Sequence, residues 1–245
     1  MRISGKSDVG MLRTENQDAF SAFPLQGLDA VFAIVCDGIG GGAGGKEAAD
    51  TCVATFEKRF SGAPVPSAEL LLETLGEANS RVLARAEEKN FIGMATTVVA
   101  AALTPDLVTL LWLGDSRAYL WHEGSLVRCT KDHSYVQALV DEGHITEKEA
   151  KTHAYRNLIT RAVGASDVAL GESCSFPWGA GDRLLLCTDG LTAMMGEDEI
   201  CEILSEDGSP GVAVHELISA ANCHGGEDNI TVLVLENVKE TTSDA

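Results

Sequence analysis

Apolar residues gather along the chain into short runs rich in Val, Ile and Leu, broken by Gly, Asp, Asn and Ser. Short apolar runs bounded by turn-formers read as β-strands. They fall near 2–8, 17–23, 30–36, 94–103, 107–114, 117–121, 125–129, 168–176, 183–188 and 229–235. Between the third and fourth runs the apolar period lengthens to that of a helix. One helix is expected to start after a cluster of glycines and run through Ala48, Cys52 and Phe56. A second takes Ser67 as its N-cap and sets Leu71, Leu75, Ala78, Val82 and Ala86 on one face. A polar, helix-prone stretch over about 133–165 interrupts the strands, and two late helices are expected near 197–205 and 209–223. Ser61 to Pro66 reads as a loop rather than a linker, so a single domain covers 1–240 and residues 241–245 form a disordered tail. The helices come in pairs instead of alternating with strands, which favours a β-sandwich flanked by helices over a doubly wound sheet.

The ends of these runs carry the candidate chemistry. Val31 to Cys36 closes on Asp37-Gly38, Val108 to Leu113 on Gly114-Asp115-Ser116-Arg117, and Arg183 to Thr188 on Asp189-Gly190. The last strand begins just after Asp228-Asn229, and Arg13 with Asn16-Gln17-Asp18 precedes the second. One Asp-Gly after a strand is an ordinary turn. Several acids at strand ends are a different matter, because paired strands bring their ends to a common rim. Two carboxylates ~4 Å apart repel by roughly 4 kcal/mol at an effective dielectric near 20, so such a cluster needs counter-charge. Oxygen ligands with few histidines point to Mg²⁺ or Mn²⁺ rather than zinc.

Charge sharpens this reading. With 37 acidic against 18 basic residues the formal net charge is −19, which excludes a nucleic-acid partner held by phosphate neutralisation. The same charge is awkward for an enzyme of anionic substrates, so attraction must come from locally held cations. The seven cysteines form no C-x-x-C pair and several sit in apolar runs, as reduced thiols of a reducing compartment do. The N-terminus lacks an apolar signal core and no apolar stretch reaches the length of a membrane span; a cytoplasmic protein with no membrane partner is expected. Gly40, Gly42 and Gly45 match a dinucleotide fingerprint, and Gly40 to Lys46 most of a P-loop. The first needs a strand after one helix, where this chain has a second helix; the second needs Ser or Thr after the lysine, where this chain has Glu47. The glycines are better explained as letting backbone pass close to Asp37.

In order along the chain stand R-T-E-N-Q-D (Arg13 to Asp18), D-G-I-G-G from Asp37, A-T-T-V from Ala95 and G-D-S-R-A-Y from Gly114. D-H-S from Asp132, H-A-Y-R-N-L-I-T-R-A-V-G from His153, C-T-D-G-L from Cys187 and E-D-N-I-T from Glu227 complete the series. This ordered set resembles the bacterial type-2C (PPM family) metal-dependent serine/threonine protein phosphatases over about Ser7 to Val234. The resemblance implies an α+β fold, an α-β-β-α sandwich of two antiparallel sheets flanked by helix pairs, with a helical flap inserted at about 133–165. It implies two tightly held Mn²⁺ or Mg²⁺ ions and a third, weaker one. Asp37 would bridge the two tight cations with help from the Gly38 carbonyl, Asp189 and Asp228 would complete the pair, and Asp115 with Asp189 would form the weaker site. Asp18 would orient metal waters and Arg13 would clamp the substrate phosphate. Implied partners are phosphorylated proteins and a cognate serine/threonine kinase, for a monomeric enzyme that needs no phosphoenzyme. Ile39 and Gly42 stand where relatives carry histidine, so no histidine acid is provided there.

Overall fold

The computed structural model describes residues 1–40, 43–62 and 67–238; Gly42, most of the loop ending at Pro66 and the tail lie outside them. In chain order the strands are β1 Arg2–Asp8, β2 Ala19–Pro24, β3 Val31–Cys36, β4 Gly38–Ile39, β5 Ala95–Thr96 and β6 Val98–Leu103. They continue as β7 Leu107–Leu113, β8 Arg117–His122, β9 Ser125–Arg128, β10 Glu172–Pro177, β11 Arg183–Cys187 and β12 Ile230–Glu236. The helices are α1 Ala43–Phe60, α2 Ala68–Lys89, α3 Tyr135–Asp141, α4 Glu147–Ala150, α5 Asp189–Thr192, α6 Glu197–Ser205 and α7 Pro210–Cys223.

Two five-stranded sheets, ordered β1-β12-β11-β8-β9 and β10-β7-β6-β3-β2, are antiparallel throughout. The uniformly apolar strands β3 and β6 and the largely apolar β11 are explained by burial on both faces. On β3, Val31, Ala33 and Val35 point into the core between the sheets, while Phe32, Ile34 and Cys36 point out beneath α1 and α2. There Phe32 stacks on Phe60 at 4.2 Å between ring centroids, and Leu71, Leu75, Ala78 and Val82 close over the sheet as the helical period predicts. On the opposite side Leu185 and Val232 meet Leu204 of α6 and Leu217 of α7. Each such side chain, fully buried, contributes about 1.5–3 kcal/mol. The result is the expected α-β-β-α sandwich.

Four expectations are corrected in detail. The run 94–103 is two strands, broken at Thr97 and joined to the short β4 in a small third sheet. Thr97 leaves the ladder because its amide donates to the Asp37 carbonyl and its hydroxyl accepts from the Asp37 amide. The strand expected from 168 starts at Glu172, because the Ser166 and Asp167 carbonyls are taken by Asn79 of α2. α5, which opens at Asp189, was not expected at all. The flap holds only two short helices, α3 and α4, with turns between them. Its two ends meet through the antiparallel bridge Ser134–Ile159, and a second bridge, Thr96–Val163, ties its far end to β5.

Candidate active site

Antiparallel pairing brings the acid-bearing strand ends together. In one sheet Ala19 lies opposite Cys36 and Val98 opposite Leu113, so Asp18, Asp37 and Asp115 share a rim. In the other, Cys187 faces both Arg117 and Val232, which brings Asp189 beside Asp228. The other four carboxylates act on Asp37. Asp37 is pushed well above the usual carboxylate range by burial and then by Asp18, Asp189, Asp115 and Asp228. Burial followed by Asp189 and Asp132 does the same to Asp115, against the pull of Arg117. Asp189 is raised by burial and by Asp228. Burial pushes Asp18 up to about 7, although hydrogen bonds from Thr231 and Thr188 oppose the shift. Asp37 and Asp189 keep part of their surface open, but dense protein around their carboxyls still disfavours the charge.

Each acid is held by neighbours that the sequence motifs contained but strand patterning did not single out. Asp18 Oδ2 accepts from Thr231 Oγ1 at 2.6 Å and Thr188 Oγ1 at 3.0 Å. Thr97 Oγ1 lies 2.7 Å from Ser116 Oγ and so ties the Asp37 strand to the Asp115 turn. Buried His133 grips that turn from the other side: its amide donates to the Gly114 carbonyl, and its Nδ1 accepts from the Gly114 amide at 3.1 Å. The His133 proton therefore sits on Nε2, facing Glu172 Oε1 at 3.1 Å. Asn229 accepts from the Gln17 amide and donates to the Val9 and Glu15 carbonyls, which fastens the Arg13 loop to the start of β12. Arg13 Nη2 donates to Asp228 Oδ2 at 2.7 Å across a partly exposed pair.

The two Asp-Gly pairs are not merely turns. A Cβ on Gly38 would run into the carbonyl oxygen of Gly45, and one on Gly190 into that of Asn229. Glycine at 38 lets α1 approach Asp37, and glycine at 190 lets α5 bring Asp189 against Asp228-Asn229. Lys46 is spent on the Asp18 carbonyl and Asp50, so the P-loop likeness has no phosphate role left for it.

The site fits divalent cations. Asp18 Oδ1 and Asp115 Oδ1 are buried without a hydrogen-bond partner, a costly state for carboxylates unless a cation or proton joins them. Every candidate donor is an oxygen. Among the described residues no three His, Cys, Asp or Glu side chains close around one point. The acids stand along a rim rather than closing a cage, which suits an ion that keeps several of its waters, as Mg²⁺ does.

A sandwich with an acid-lined rim and an arginine fork at its edge defines a metal-dependent hydrolase of phosphate esters. Comparison with known proteins makes the family specific. The protein phosphatase 2C family matches residues 13–209. The serine/threonine phosphatase stp of Listeria monocytogenes is 34% identical over 96% of this chain and 96% of its own. The S. agalactiae serine/threonine phosphatase structure superposes with a TM-score of 0.91 at 29% identity, covering 97% and 99% of the two chains. The catalytic domain of the phosphatase PstP, solved with two manganese ions, gives 0.87 at 34% identity over 97% and 98%. The chain belongs to the protein phosphatase 2C family and is a metal-dependent serine/threonine protein phosphatase.

Proposed function

We propose that the acid-lined rim is the catalytic centre and that the chain removes phosphate from phosphoserine and phosphothreonine in proteins, opposing a serine/threonine kinase. The observation that carries the assignment is the convergence of Asp18, Asp37, Asp115, Asp189 and Asp228, with two buried carboxylate oxygens unpartnered. Asp37, the Gly38 carbonyl, Asp189 and Asp228 would hold two Mn²⁺ or Mg²⁺ ions, and Asp115 with Asp189 a third and weaker one. Cations held there acidify water and neutralise phosphoryl charge. Arg13 spends one donor on Asp228 and keeps the rest of its fork for phosphoryl oxygens. Asp18, fixed by two threonine hydroxyls, keeps its other carboxylate oxygen buried and unpartnered, and would use it to orient water held by the cations. The neighbouring thiols do not compete as nucleophiles. Cys36 and Cys187 are fully buried, and burial raises both, Cys187 to about 12.

We assign residues 1–240 to one catalytic domain, monomeric and cytoplasmic, where free thiols such as Cys36 and Cys52 persist. No helix among the described residues is long and apolar enough to cross a membrane. The test is release of phosphate from a phosphothreonine peptide with and without EDTA, followed by restoration with Mn²⁺ or Mg²⁺. Full activity in EDTA, or a phosphocysteine trapped on the enzyme, refutes the assignment.

A further inference from the structure

The flap carries a charge pattern found nowhere else in the described chain. Against the overall excess of acid, the stretch from Ala150 to Arg161 holds Lys151, Arg156 and Arg161 and no carboxylate. Nearly every lysine and arginine among the described residues is paired with a carboxylate. Those without an ion pair are Lys58, Lys148, Lys151 and Arg156, so all but one fall in the flap. Lys148 stands between Glu147 and Glu149 and adds little net charge. Lys151 and Arg156 are exposed and uncompensated.

In the chain between these two cations stand His153 and Tyr155, which form a cluster of rings with Tyr135. Tyr155 meets Tyr135 edge-on at 5.9 Å, and His153 lies 5.8 Å from Tyr155 and 6.2 Å from Tyr135. Tyr155 is 60% and Tyr135 38% exposed. Tyrosines pre-ordered in this way offer contact area at small entropic cost, with hydroxyls left to bond a peptide backbone. Backbone bonds tie the cluster's segment to the Asp115 end of the rim. The Tyr135 amide donates to the Leu158 carbonyl, the Thr160 amide to that of His133, and the His133 amide to that of Gly114, next to Asp115.

We propose that Lys151, Arg156 and the Tyr135–His153–Tyr155 cluster dock an acidic segment of the phosphoprotein substrate beside its phosphorylated residue. The proposal rests on the reading of the adjacent rim as the phosphoryl site. Charge complementarity selects this occupant: a surface dominated by carboxylates repels an acidic peptide everywhere except at an unpaired cationic patch, and rim charges of this kind set encounter and partner choice. The flap thereby supplies a preference for flanking sequence that the metal site, which sees only the phosphoryl group, does not.

Three substrates separate the possibilities with Mn²⁺ present: a phosphothreonine peptide flanked by Asp and Glu, the same peptide with neutral flanks, and p-nitrophenyl phosphate. The native enzyme should show a lower KM for the acidic peptide, an advantage that fades with added salt. In Lys151→Glu/Arg156→Glu the KM for the acidic peptide should rise roughly tenfold, as two exposed charge reversals allow, with kcat little changed. The neutral peptide and p-nitrophenyl phosphate should be hydrolysed as before. Tyr155→Ala should raise KM for both peptides and leave the small ester untouched. An equal KM ratio for the two peptides before and after charge reversal overturns the docking surface. So does loss of binding to vesicles of anionic phospholipid with unchanged peptide kinetics. Failure of the native enzyme on all three substrates strikes instead at the phosphatase reading.

Discussion

Asp115 and the residues around it are placed by contacts that mutation can separate. Asp115→Ala is expected to retain two tight metals in a calorimetric titration and to lose most turnover, because the proposed assignment gives its buried oxygen to the weaker cation. Asp37→Asn or Asp228→Asn should lose metal and activity together. Normal turnover of Asp115→Ala at saturating Mn²⁺ refutes this division. Arg13 pairs with Asp228 only across a partly exposed contact, and such pairs contribute little to stability. Arg13→Ala should therefore leave metal affinity nearly unchanged while kcat/KM falls by the equivalent of roughly 1.5–3 kcal/mol, the cost of a lost charged hydrogen bond. His133 gives a stability test. His133→Leu strips the buried Gly114 amide of its acceptor and should cost about 1–3 kcal/mol in urea unfolding. His133→Asn, whose Oδ1 replaces Nδ1 as acceptor, should recover most of that loss; equal destabilisation by both variants would rule the hydrogen bond out as the cause.

At the scale of elements, the site depends on how closely α5 approaches the start of β12. The four-residue α5 has no side-chain cap, and its position follows from the contact between Gly190 and the Asn229 backbone. Gly190→Ala should push these segments apart and move Asp189 from Asp228. Mn²⁺ affinity is then expected to drop by an order of magnitude or more, at modest cost to folding, since the two large apolar clusters between the sheets and beneath α1 and α2 are untouched. Tight Mn²⁺ binding by this variant would show that the close approach is incidental. α2 behaves in the opposite way. Its N-cap Ser67 accepts from the Leu70 amide, far in function from the rim. Ser67→Ala should lower stability by about 1 kcal/mol and leave kinetics intact.

For the whole molecule, the acid rim makes stability depend on pH and metal together. Asp18, Asp37, Asp115 and Asp189 all have folded pKa values above the ordinary range, with Asp18 near 7. Between about pH 4, where unfolded aspartates ionise, and these higher values, the metal-free folded chain holds more protons than the unfolded one. Its stability must therefore fall as pH rises through that window, and the net charge of −19 acts in the same direction. The melting temperature of metal-free protein should decline from pH 5 to pH 8. Mn²⁺ should raise it most at the alkaline end, where the carboxylates are free to bind. A melting temperature that rises with pH in the absence of metal would contradict the burial of these charges.

Much of this was legible in the linear chain. Apolar runs placed the long strands and Ser67 the start of α2 because period and capping are local properties, decided by neighbours three or four residues away. The ordered motifs marked Arg13, Asp18, Asp37, Asp115, Asp189 and Asp228 as a set. That they meet was another matter: Asp18 and Thr231, 213 residues apart, share a hydrogen bond only because antiparallel pairing stacks their strand ends at one rim. The break at Thr97, the grip of His133 on Gly114 and the need for glycine at 190 likewise depend on atoms from distant segments. Hydrophobic period names the face a residue buries but not the partner it meets. Local patterning was enough for most elements and for the acids that close them, because both are set by near neighbours in the chain; their convergence needed the packed fold, because buried like charges shift one another's pKa values only where packing forces distant strand ends together.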